Sequence, residues 1–344
     1  MSIELKYLNA LLLAANGEAQ ELRKKIIEPA EAKTLWERHP KRGEIDPDRE
    51  MEKLIKDGVW TIDKSDLNYP PLLKEAHDAP LLIYGKGKLP KFDESYWGIA
   101  IVGTRKPTEY GKAVARNFAE ELSYGGAVII SGIAAGIDRE AHAGALAGHG
   151  KTIAVIGSGL DRASFFPSAN WSLAETIIAD GSTVISEYPP GTPALPHHFP
   201  ERNRIIAGLS HGTIVVEAQE RSGALITARL ALEENREVFA VPRPINSLTS
   251  RGPNLLLKEG ATPALSPEDI FIAFDKAKPT TQTGRANLGE FEKQILEALA
   301  EPRSLDELKA MLSAETSKLQ AALSLLELEG YIQETEPGKY AVWG

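Results

Sequence analysis

Three short apolar runs between Gly98 and Gly159 constrain this chain more than any other feature. They span 98–104, 127–131 and 152–157, and each ends in small residues: Val102-Gly103-Thr104-Arg105, Ser131-Gly132 and Gly157-Ser158-Gly159. A parallel strand buried on both faces reads as such a run. A Gly-rich corner after it lets backbone N–H groups face an anion at the next helix N-terminus. Three corners in series, each at a strand's C-terminal end, predict a binding edge.

The pattern continues. Strands are predicted at 183–187, 212–218 and 237–241, with helices at 110–124, 136–149, 168–180, 201–209 and 222–235. Strands alternating with helices of this length imply an α/β fold: a doubly wound, mostly parallel sheet. Ligands of such sheets sit outside the strands' carboxyl ends.

The flanks differ. Residues 1–66 are charged, with Leu5, Leu8, Leu11 and Leu12 at helical spacing, and predict a small helical module packing its own core. Residues 67–96 carry Pro70, Pro71 and Pro80 and predict a connector with one short edge strand, Leu81 to Tyr84. The polar stretch at 266–287 predicts a linker. Within 288–344, Phe291, Ile295 and Leu299 mark one helix and Ser304 to Glu307 a capping box opening a second. Leu319, Leu323 and Leu326 mark a third, stopped at Gly330, and a Pro-Gly turn marks a terminal hairpin. Three helices and a hairpin make a winged-helix pattern. From 266 onward, 8 Lys and Arg face 14 Asp and Glu, and the third helix offers only Lys318 as a base. Phosphate contact needs cations, so this module is expected to meet protein or to be structural.

The whole chain of 344 residues has a formal net charge of -9, so any basic site is local. It has no cysteine, which excludes disulfides and thiolate chemistry and fits a reducing compartment. No stretch reaches transmembrane length, so a soluble cytoplasmic protein without a membrane partner is expected.

Candidate site residues cluster at the predicted edge. Arg105 can reach a phosphate or make a structural salt bridge; the phosphate reading is preferred. In the loop Ser131-Gly132 to Gly136, backbone N–H groups can face an anion. Asp138 and His142, spaced i and i+4, suit either a metal or an internal Asp–His hydrogen bond; with no third ligand evident, the hydrogen bond is preferred and no metal is expected. Phe199, Arg202, Asn203 and Arg204 suit a backbone phosphate and a stacked base, or an Arg–Glu network with Glu187, Glu201 and Glu217. The two readings are compatible. Ser222 reads as an N-cap before Gly223, opening another phosphate-receptive helix that carries Thr227.

Several motifs are missing from the sequence. No Gly-x-Gly-x-x-Gly follows the first strand and no acid ends the second to hold a ribose, which disfavours a dinucleotide cofactor. There is no P-loop motif and no Gly-x-Ser-x-Gly elbow. No cofactor is expected.

These residues resemble the DNA-processing protein A (DprA/Smf) family. The matching words include Tyr69-Pro70, Pro80 to Gly85, Ile101 to Arg105 with Tyr110-Gly111, Ser131 to Ala134, Gly136 to Asp138, Ala141-His142, Ser186-Glu187-Tyr188, Phe199-Pro200, Arg202 to Ser210, Val216-Glu217-Ala218, Ser222-Gly223 and Thr227-Ala228, in the family's order over about 67–265. The resemblance implies an extended Rossmann-like core at 67–265 between a helical (SAM-like) module and a winged helix. It implies a non-enzymatic, homodimeric, single-stranded DNA-binding protein that protects incoming DNA and loads the recombinase RecA in natural transformation and recombination. Carried onto this chain, the DNA or phosphate site is Gly103, Arg105, Ser131, Gly132, Gly136, Gly157, Ser158, Gly159, Phe199, Arg202, Asn203, Arg204, Ser222, Gly223 and Thr227. The chain departs from the family at Pro242-Arg243-Pro244, where Pro-Gly is usual, and Arg243 is read as an added cation at the edge. The N-terminal module also lacks a Gly-rich hairpin that some members carry.

The rival is a Rossmann-like nucleoside monophosphate hydrolase or a nucleotide-binding protein. The hydrolase's Gly-Gly-x-Gly-Thr-x-x-Glu loop is replaced here by Glu217 to Gly223 without the Gly pair, which ranks it lower.

Overall fold

The computed structural model describes residues 3–15, 19–26, 29–277, 289–328, 331–336 and 338–342. The chain forms two compact units, Met1–Lys278 and Pro279–Gly344.

The first unit begins with helices α1 (Ile3–Ala14), α2 (Ala19–Lys25), α3 (Ala32–Glu37) and α4 (Pro47–Lys56). Asp46 caps α4 by accepting the N–H groups of Asp48 and Arg49, and Pro47 opens the helix. Then follow β1 (Trp60–Asp63), α5 (Pro71–Glu75), β2 (Leu82–Gly87), β3 (Gly98–Val102), α6 (Glu109–Tyr124), β4 (Val128–Ser131), α7 (Ile137–Ala147) and β5 (Lys151–Ile156). The unit continues through α8 (Trp171–Ala179), β6 (Thr183–Ser186), α9 (His198–Gly208), β7 (Gly212–Val215), α10 (Gly223–Glu233), β8 (Glu237–Ala240), α11 (Arg251–Lys258), β9 (Thr262–Pro263) and α12 (Pro267–Ala273).

The strands form one sheet in the order β1-β2-β6-β5-β4-β3-β7-β8-β9. The seven from β6 to β9 are parallel. β1 and β2 add an antiparallel margin beside β6. This is the doubly wound, Rossmann-like sheet that the alternation implies. β3, β4 and β7 are buried along their whole length because helices cover both faces.

Two boundaries move. The N-terminal helices do not pack a core of their own. Leu5, Leu8, Leu12 and Trp36 share one apolar cluster with Leu82, Tyr84, Ala154 and Ile156 of the sheet, and the Tyr84 hydroxyl donates to Asn9 at 2.9 Å. A short charged helix bundle has too little apolar surface to stand alone. The predicted linker begins too early. α12 covers Pro267–Ala273, and Ile270 and Phe271 are buried beside Trp97. The polar stretch 278–288 lies outside the described residues.

The second unit comprises α13 (Glu290–Ala298), β10 (Arg303–Ser304), α14 (Leu305–Leu312), α15 (Thr316–Leu328), β11 (Ile332–Glu336) and β12 (Lys339–Val342), with a sheet in the order β10-β12-β11. Ser304 and Glu307 form the expected capping box. Ile295, Leu299, Leu308, Leu319, Leu323 and Leu326 make its core. It is a winged-helix domain. The predicted stop at Gly330 and the proline of the hairpin turn lie outside the described residues. Among the described residues, no helix is long and apolar enough to cross a membrane.

Candidate nucleic-acid interface

The chain leaves β3 to build β4, β5 and β6 on one side, then returns to lay β7, β8 and β9 on the other. The direction of winding reverses between β3 and β7, and in sheets of this kind ligands bind outside the carboxyl ends of the strands at such a point. There the Thr104 N–H donates to the Glu217 carbonyl at 2.7 Å, tying the two exits together.

All three predicted anion corners have backbone N–H groups spent on the protein itself, the first through the Thr104 N–H just described. After β4, the Gly132 N–H donates to the Asp138 carboxylate at 3.2 Å, and the Ala134 N–H also supports that carboxylate. The Ser131 hydroxyl is buried and donates to the Ile101 carbonyl at 2.6 Å. Ile133, a β-branched residue at φ 52, and Gly136 at φ 87 bend the loop, and the Asn170 amide donates to the Ile133 carbonyl at 2.8 Å. After β5, the Gly159 N–H donates to the Thr192 carbonyl, and Ser158 is fully buried with its carbonyl accepting from Ser186. Gly157 lies beneath the start of α9, where an added Cβ would stand 3.3 Å from the His198 carbonyl. The expected Asp138–His142 hydrogen bond does not form. His142 Nδ1 pairs with the Thr152 hydroxyl at 2.7 Å instead, because α7 turns that ring under β5. Among the described residues no cluster suits a metal.

The arginines of α9 face inward. Arg202 is 4% exposed and donates to the Gly132 carbonyl at 2.8 Å and to the Val155 carbonyl. Burial pulls its guanidinium down to about 10, against the pull of Asp138, so it stays charged at neutral pH. Gly132 makes room for it: an added Cβ would stand 2.4 Å from the guanidinium. Arg204 pairs with Glu187 at 2.5 Å and with Asp78 at 3.3 Å, and Arg23 of α2 joins the same two acids. The Arg–Glu network is thus the reading that the geometry favours for Arg204, with Glu187 at its centre. Asn203 and Thr227 are buried and both donate to the Gly223 carbonyl, and Ser222 caps α10 by accepting the Ala224 N–H.

Arg243 also turns inward. Its guanidinium pairs with Glu217, which is fully buried and accepts the Thr108 N–H at 2.9 Å. An uncompensated carboxylate there would be costly. The expectation of a free cation at this position is therefore corrected: the charge is spent on Glu217.

The open part of the edge is what remains. Arg105 is exposed, and its guanidinium lies 5.3 Å from the Phe199 ring centre. Phe166, also exposed, packs against the same ring at 5.5 Å. Lys106, Arg139, Arg162 and Arg221 are exposed after β3, β4, β5 and β7 respectively. Among the described residues none of these five cations has an acidic partner within salt-bridge reach. Gly103 and Gly136 are half-buried beside them, and Gly223 is exposed at the start of α10. The sequence reading missed Phe166 and four of the five cations. Their signal was position: each follows a strand's carboxyl end.

A sequence model of the DNA recombination-mediator protein A family matches residues 60–275. The chain belongs to the DNA-processing protein A family. A DprA winged helix domain model matches residues 279–339. The DNA processing protein DprA of Bacillus subtilis is 44% identical over 214 residues, 62% of this chain and 71% of that protein. The protein Smf of Synechocystis is 36% identical over 335 residues, covering 86% of this chain and 83% of that one. The crystal structure of Streptococcus pneumoniae DprA superposes with a TM-score of 0.61 at 39% identity, covering 72% of this chain and 82% of that one. DprA of Helicobacter pylori, whose structure describes a single-stranded DNA binding mode, gives 0.55 at 30% identity, covering 64% and 97%. The two family models thus span the sheet and the winged helix.

Proposed function

We propose that this chain is a single-stranded DNA-binding protein whose strand crosses the carboxyl edge of the sheet. Backbone phosphates meet Arg105, Lys106, Arg139, Arg162 and Arg221, and a base stacks on Phe199 beside the Arg105 guanidinium. One observation carries the reading: the exposed cations of this edge lack acidic partners among the described residues, while Arg23, Arg202, Arg204 and Arg243 beneath it are held by groups of the protein. Unpaired cations around aromatic faces suit a phosphate backbone with unstacked bases. In this reading Arg105, Phe199, Ser222 and Gly223, of the residues expected to line the site, touch the strand. Ser131, Gly132, Ser158, Gly159, Arg202, Arg204 and Thr227, which bond within the protein, would support the edge from beneath.

The wider role we propose is the one the family resemblance implies: a cytoplasmic, non-enzymatic homodimer that protects incoming single strands and loads the recombinase RecA in natural transformation and recombination. Asp138 occupying the Gly132 corner favours a strand over a free mononucleotide, since the phosphate-receptive N–H is already taken.

The test is competition. Bound labelled oligothymidylate is challenged with unlabelled single-stranded and duplex competitors of equal length at two salt concentrations. Single strands are expected to compete far better, with affinity falling as salt rises. Equal competition by duplex would overturn the reading.

A further inference from the structure

Tyr110 stands at the start of α6, on the same carboxyl edge as Arg105, and its side chain is not needed by the core. The residue is 54% exposed. Beneath it, the Arg243 guanidinium lies 4.9 Å from the ring centre. That guanidinium is itself fixed. It pairs with the buried Glu217 carboxylate, and its side chain is only 7% exposed. The Arg243 backbone N–H donates to Asn254 at 3.3 Å, and the Asn254 amide donates back to the Arg243 carbonyl at 3.0 Å. Glu217 in turn accepts the Thr108 N–H and hydroxyl, which anchors the start of α6. Gly111 is required here, because an added Cβ would stand 2.4 Å from the Glu217 carboxyl carbon.

An aromatic ring supported from below by an immobile cation is a rigid, open π-face. Cation–π contact holds the ring while the cation's charge is neutralised by Glu217, so little net charge reaches the surface. We infer that Tyr110, held by Arg243, is a second base-stacking station, placed at the β3–β8 side of the edge, while Phe199 with Arg105 is the first. The inference rests on the proposed single-stranded DNA binding and extends its path toward β8. Arg243 is a positioning residue that never touches the strand; Tyr110 takes a base by its face, so the station is indifferent to base identity.

The test uses the full chain and labelled oligothymidylate, with Tyr110→Ala, Tyr110→Phe, Arg243→Gln and Arg105→Ala, each titrated at several salt concentrations. Tyr110→Ala is expected to weaken binding about tenfold, the loss of one stacked base. The dependence of affinity on salt should not change, because no phosphate contact is lost. Tyr110→Phe should retain affinity, and Arg243→Gln should lose part of it. An oligonucleotide of abasic sites should bind the native protein and Tyr110→Ala equally. Unchanged binding by Tyr110→Ala, while Arg105→Ala weakens it, overturns the second station and leaves the proposed function standing. A reduced salt dependence in Tyr110→Ala, or a persisting deficit on the abasic strand, also overturns it. Absence of oligothymidylate binding by the native protein removes the proposed function itself.

Discussion

Asp138 accepts the backbone N–H of Gly132 at 3.2 Å, so the loop after β4 is satisfied by a carboxylate six residues further along the chain. A corner that would otherwise recruit an anion has one built in. The same carboxylate pulls favourably on the Arg202 charge under the edge, while the Arg202 guanidinium itself is held by the Gly132 and Val155 carbonyls.

Asp138→Ala removes the buried acceptor of the Gly132 N–H and a favourable charge near Arg202. Leaving a buried donor without a partner costs about 1–3 kcal/mol. Urea unfolding of the variant should show a loss of that order. A change within 0.5 kcal/mol would mean that the Gly132 N–H finds another acceptor.

His142 predicts a dependence on pH. Burial, reinforced by the Arg202 charge, lowers its pKa from 6.5 to about 3, while the unfolded chain keeps the ordinary value. Its folded pKa is depressed, so between 6.5 and 3 the unfolded state binds the proton and the folded state does not. The stability it supports is fully present above pH 6.5 and is lost as pH falls toward 3. Between pH 6.5 and 5 the loss is about 2 kcal/mol at 1.36 kcal/mol per unit. Chemical denaturation at pH 7 and pH 5 measures it. His142→Gln should remove this component and flatten the difference between the two pH values.

The architecture was legible because both of its periodicities are strong. Runs such as Ile99 to Val102 are buried on both faces, and α6 places Ala115, Phe118, Ala119 and Leu122 on one buried side. The site was less legible. Sequence order puts Arg202 and Arg204 beside Phe199, yet a helix turns successive residues about 100° apart. Arg204, five residues after Phe199, is turned to Glu187, while Arg202, three residues after Phe199 and on the same side of α9, runs its long side chain under the edge to Gly132 and Val155 and leaves the half-buried Phe199 ring at the surface. Composition cannot say which arginine is spent inside, because the acids that claim them, Glu187, Glu217 and Asp138, come from other elements. The Arg243 substitution was visible as a departure, but its partnership with Glu217 needed the adjacency of β7 and β8.

Gly136 tests the backbone of the same edge. It sits at φ 87 as the N-cap of α7, and an added Cβ would stand 2.4 Å from the Thr104 carbonyl. Gly136→Ala must strain that conformation and push the β3 exit away, a cost of about 1–3 kcal/mol. A lowered melting temperature with intact secondary structure is expected. An unshifted transition would show that the loop adopts another path.

Arg105 and Arg204 separate surface charge from buried charge. Arg105 is exposed and holds no acid, so its removal should cost DNA binding and leave the fold intact. For a single strand, each phosphate contact contributes roughly 0.7 to the slope of log affinity against log salt. Arg105→Ala should lower that slope by about this amount and leave thermal unfolding unchanged. Arg204 bridges Glu187 and Asp78 with its side chain 11% exposed. Arg204→Ala leaves Glu187 with Arg23 alone and should destabilise the protein by about 3 kcal/mol. Its salt slope, measured at a temperature where the variant stays folded, should match the native protein. If the slope instead falls with Arg204→Ala and holds with Arg105→Ala, the strand runs over α9, and the edge cations are solvated bystanders.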